Sequence, residues 1–167
     1  MNTLPPEVTA LALAGLLQVA QIALMSVTAN RELDRGKTLG PRDPGRLGAP
    51  LMEQVSPRTG RIFRAMNNHF EGLILFTIAV AVVTLGQATS PLTAACGWIY
   101  LAARVLYVPA YVFGWVPWRS LIWMVGLFAT ALMIGIILTQ RPLKALFRGE
   151  GGQIAAEFKN GFNDLID

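Results

Sequence analysis

Charged residues are missing from four long stretches of the chain: residues 8–30, 72–103, 105–118 and 120–140 contain no Asp, Glu, Lys or Arg. A helix crosses the hydrocarbon core of a bilayer with about 20 mostly apolar residues. Each stretch, alone or joined to its neighbour across a single charge, reaches that length. The pattern predicts four spanning helices, over about 7–29, 59–85, 92–115 and 118–140. Pro5 and Pro6 suit the first turn of the first helix, where a missing N–H is no loss. Gly86, Ser90 and Pro91 mark a short turn after the second span, and Gly114–Pro117 another after the third. The expected fold is an all-α integral membrane protein, a four-transmembrane-helix bundle over residues 1–140 with a long basic first loop. Beyond it, residues 141–167 read as a separate amphipathic tail. There Ile154, Phe158, Phe162 and Leu165 recur at helical spacing opposite Glu157, Lys159, Asn160 and Asp164. Such a helix lies in the headgroup region or docks on a partner, including a larger membrane complex.

Composition agrees with the patterning. Of 167 residues, 53% are apolar and 14% charged, against about 45–50% and 25% in soluble domains. Disorder and a soluble single-core domain are both excluded on that basis. The first apolar run is longer than the roughly 7–15 residues of a signal-peptide core, and no Lys or Arg precedes it, so it reads as a span. The single cysteine, Cys96, sits between Ala95 and Gly97 and reads as a packing residue. With one His and scattered acids, no metal-ligand set is present.

The formal charge of +4 is concentrated in the first loop and its flanks, where Arg31, Arg35, Lys37, Arg42, Arg46, Arg58, Arg61 and Arg64 outnumber Glu32, Asp34, Asp43 and Glu53. No aromatic residues are interleaved for base stacking, so nucleic acid is not an expected partner. The excess of Lys and Arg instead places this loop on the cytoplasmic side. Four spans then put both termini outside, and Arg119 falls on the loop side. Gly36, Gly40, Pro41, Pro44, Gly45, Gly48 and Pro50 break any long helix in the loop.

Ionisable residues inside spans are the strongest functional signal, because each costs about 2.5–3.5 kcal/mol at mid-bilayer on insertion scales. At 100° per residue, Arg61, Arg64, Asn68 and Glu71 of the second span fall within an arc of about 80°, and His69 points away. In the third span Tyr100, Arg104, Tyr107 and Tyr111 occupy about 60°. Two such stripes on antiparallel neighbours are expected to face one another, with Glu71 and Arg104 about 10–20 Å from the loop side. One reading is that they stitch the helices together, but interhelical polar contacts average only about 0.6 kcal/mol. The other is a cavity open to the cytoplasm, whose positive excess favours an anionic ligand that also carries a cationic group.

These motifs resemble the MAPEG superfamily, membrane-associated proteins in eicosanoid and glutathione metabolism. The second-span pattern R-x-x-R-A-x-x-N-x-x-E stands as Arg61, Arg64, Ala65, Asn68 and Glu71, and the third-span pattern R-x-x-Y-x-x-x-Y as Arg104, Tyr107 and Tyr111. Pro-x-Arg-Ser at the start of the fourth span stands as Pro117, Trp118, Arg119 and Ser120. The wording resembles a bacterial branch, which implies a bacterial inner membrane. The resemblance implies homotrimers with glutathione bound between subunits near the cytoplasmic side. It implies that Arg64, Asn68, Glu71, Arg104, Tyr107 and Tyr111 hold the cofactor, with Arg61 beside them and Arg31 as a further carboxylate-binding arginine. It makes Arg119 the catalytic residue that activates the thiol. The implied activity is transfer of glutathione to apolar electrophiles, or reduction of lipid hydroperoxides. A non-catalytic accessory subunit and a lipid-presenting binding protein remain alternatives, since the superfamily includes a non-catalytic member. The chain departs from the pattern at Gly72, where some relatives carry an aromatic residue, and at Trp123, where several carry Tyr. The interval from Arg104 to Arg119 also differs by one residue.

Overall fold

The computed structural model describes residues 4–41, 43, 45 and 48–147. Among them are six helices: α1 (Pro6–Glu32), α2 (Arg35–Leu39), α3 (Leu51–Gln54), α4 (Pro57–Leu85), α5 (Pro91–Val112) and α6 (Trp118–Phe147). No strand occurs among the described residues. Four helices are long and apolar enough to cross a membrane: α1, α4, α5, and α6 over Trp118–Thr139. The protein is an integral membrane four-helix bundle.

Helix boundaries follow local chemistry. Pro occupies the first turn of α1, α4 and α5, where no intrahelical N–H is required. Ser56 caps α4 by accepting from the Thr59 N–H at 3.3 Å. Ser90 and Thr93 form a reciprocal capping box at the start of α5. That helix stops at Val112, short of the predicted 115, because Gly114 adopts φ +72° and reverses the chain. The Val116–Pro117 peptide in this turn is cis. At the other end of the bundle α6 runs on past Gln140 to Phe147. The amphipathic stripe expected from Ile154 to Leu165 lies outside the described residues.

The central pair α4 and α5 contacts both α1 and α6. Small residues let the helices approach: Ala10, Ala14, Ala79, Ala103, Ala110 and Ala129 are all buried, with Phe76, Val83, Met133 and Ile137 filling the space between. Phe76 stacks on Tyr100 with ring centroids 3.9 Å apart. Large apolar side chains such as Leu16, Val19, Leu106 and Phe128 point outward instead, as expected where the surrounding solvent is lipid.

The first loop holds α2 and α3 and is fastened at its base. The Glu32 carboxylate accepts from the Ser56 N–H at 2.7 Å, the Ser56 hydroxyl at 2.9 Å and the Thr59 hydroxyl at 2.7 Å. The end of α1 is thereby tied to the N-terminus of α4, where an acid also complements the helix dipole. Within the loop, Lys37 Nζ donates to Gln54 Oε1 at 2.7 Å.

Candidate functional site

Arg104 is the pivot of the polar region. It lies in the middle of α5 and is only 3% exposed. A buried guanidinium needs room, and two glycines provide it. A Cβ on Gly72 of α4 would overlap the guanidinium, and one on Gly126 of α6 would lie 3.8 Å from Nε. The side chain passes over the Tyr100 ring at 5.1 Å and near the Tyr107 ring at 5.9 Å, favourable placements for a cation. Its Nη1 donates to Asn68 Oδ1 at 3.1 Å, joining the polar stripes of α4 and α5. Among the described residues Arg104 makes no ion pair, and its buried Nε has no acceptor.

Beside this pivot opens a cleft of ≈330 Å³ lined by Asn68, Tyr107, Tyr111, Arg119, Ser120 and Trp123. Three elements build it: α4 supplies Asn68, α5 the two tyrosines, and the first turns of α6 the remainder. The Tyr107 and Tyr111 rings pack at 5.4 Å, and the Arg119 guanidinium lies 5.2 Å from the centre of the Tyr111 ring. Neutral donors therefore stand between two guanidinium groups, an arrangement suited to holding an anion.

The remaining expected site residues are distributed differently. Glu71 and Arg64 are exposed, and among the described residues no ion pair joins Glu71 to Arg104, so the two stripes meet through Asn68 and not through opposite charges. Arg61 turns to the end of α5, where Nη1 donates to the Val112 carbonyl at 3.4 Å and lies 2.9 Å from the position of a Cβ on Gly114. A cation there satisfies a terminal carbonyl and complements the negative end of the helix dipole. Arg31 lines a second cleft, together with Arg58 and residues of α5.

His69, which the helical wheel turns away from the stripe, is 1% exposed and packs inside the bundle. Its Nδ1 is hydrogen-bonded to Gln21 Nε2 of α1. Gln18, one turn before, is also buried. Sequence reasoning passed over this interior polar group, although two glutamines three apart in an otherwise apolar span share a face and were a usable signal. It also missed Ser120 and Met124 as cleft residues, and met Trp123 only as a departure from the family pattern.

Comparison with known proteins gives one family match: the model of the MAPEG family matches residues 10–139. No curated protein matches significantly. The matched region spans all four membrane helices and every residue of the cleft, and the chain belongs to the MAPEG family.

Proposed function

We propose that this MAPEG protein binds glutathione in the cleft between α4, α5 and the start of α6, and delivers its thiolate to apolar electrophiles or lipid hydroperoxides. The observation that carries this reading is Arg104, a buried guanidinium beside an open polar cleft with no carboxylate of its own among the described residues. Burying an uncompensated charge is costly, and an anionic ligand in the adjoining cleft offsets that cost. Glutathione has two carboxylates, an ammonium and a thiol. Tyr107, Asn68 and the two guanidinium groups suit the anionic parts, and exposed Glu71 suits the ammonium.

Catalysis requires the thiolate. A free thiol near pKa 8.5 is only a few per cent ionised at pH 7, and lowering it by two units takes about 2.7 kcal/mol. Arg119, held against Tyr111 at the cleft wall, is the group placed to stabilise the sulfur anion. The thiolate then forms a carbon–sulfur bond to an electrophile, either displacing an anionic leaving group or adding to an activated double bond whose displaced electron pair takes up a proton. With a hydroperoxide, two glutathione molecules yield a disulfide, an alcohol and water. Because Glu71 and Arg64 are exposed and make no ion pair with Arg104 among the described residues, we assign completion of the site to a neighbouring copy in a homotrimer. The basic loop is taken as cytoplasmic, the termini as external, and the membrane as a bacterial inner membrane.

Calorimetry on the purified protein tests the reading. Glutathione is expected to bind with a measurable Kd, and Glu71→Gln to weaken it about tenfold, the scale of one charge-assisted hydrogen bond. Arg119→Ala is expected to lower the turnover of a generic electrophile about 10²-fold while binding persists. No heat at millimolar glutathione removes the cofactor assignment.

A further inference from the structure

A second cleft lies apart from the one beside Arg104. It measures ≈480 Å³ and lies among α1, α4 and α5 at the loop end of the bundle. Its walls are apolar, formed by Leu24, Ile62, Val108 and Val112, and Arg31 and Arg58 stand at its rim. The carboxylate in its lining, Glu32, accepts from the Ser56 and Thr59 donors and keeps its charge. Arg58 is steadied over the Phe113 ring at 5.4 Å. Among the described residues neither arginine has an ion pair.

Two guanidinium groups against one carboxylate, over an apolar slot at the loop end of the bundle, leave a positive excess that matches an amphiphile with a negative end. We propose that this cleft binds an anionic phospholipid, its phosphate between Arg31 and Arg58 and one acyl chain against Leu24, Val108 and Val112. General snorkelling of arginines to headgroups needs no slot; the apolar walls make this a site for one molecule. It shares no residue with the cleft lined by Asn68, Tyr107, Tyr111 and Arg119, but Arg31 is also the arginine that the family resemblance implies for a glutathione carboxylate, so the test reads glutathione binding as well.

The test uses the intact protein in detergent with equimolar phosphatidylglycerol and phosphatidylcholine of identical chains, and reads retained lipid by native mass spectrometry. Phosphatidylglycerol is expected to be retained about tenfold over phosphatidylcholine, the scale of two guanidinium–headgroup attractions. Arg31→Gln with Arg58→Gln is expected to bring the two lipids to parity. Val108→Trp, which fills the slot and spares both arginines, is expected to lower retention of either lipid. Equal retention by the unaltered protein overturns the proposal, as does a preference that survives loss of both arginines or retention indifferent to Val108→Trp. Glycerol phosphate displacing the lipid at equal concentration also overturns it, since the chain then contributes nothing. So does loss of glutathione binding in the double variant with the lipid preference intact, which assigns these arginines to the peptide.

Discussion

Gly72 explains how a full positive charge enters the bundle. The helix surface at this position is bare, and the Arg104 guanidinium occupies the volume that any side chain would take. Gly72→Ala is therefore expected to expel or bend Arg104, with a loss of about 1–3 kcal/mol typical of overpacking and a lower melting temperature in detergent. Glutathione affinity should fall with it. The Gln21–His69 pair is a second residue-level commitment. Gln21→Leu leaves a buried imidazole nitrogen without its partner, and a penalty of about 1–3 kcal/mol is expected in denaturation experiments.

At the level of elements, apolar runs and their Pro, Gly and Ser punctuation were enough to read the four spans, because lipid demands uninterrupted helices. The polar stripes on α4 and α5 were equally visible from a 100° wheel. What the wheel could not supply was side-chain direction. Arg61 and Arg64 share a stripe, yet Arg61 reaches the Val112 carbonyl while Arg64 stays outside. That choice depends on where the neighbouring helix ends. The interior placement of Gln18, Gln21 and His69 needed the pairing of α1 with α4, which no single-span pattern contains. The clasp from Glu32 to Ser56 and Thr59 was hidden for the same reason, since its ends are separated by the whole first loop. Glu32→Ala is expected to speed hydrogen exchange at the Ser56 amide and in the first turn of α4, with the middle of the helix unchanged.

The whole molecule presents apolar residues outward along its spans and a polar cleft at the loop end. The homotrimer proposed above draws on the exposed Glu71 and Arg64. Chemical cross-linking in detergent is expected to trap a species of three chains, and a cysteine in place of Arg64 to accelerate trapping. A chain that stays at monomer mass across detergents removes the shared-site assignment. The Glu32 clasp also bears on construction. It brings the two ends of the first loop together at a fixed base, so chain added between them does not have to be closed again by the bundle. A foreign reporter domain spliced near Gly45 should leave the bundle's folding almost untouched, since lengthening an already closed loop costs little entropy.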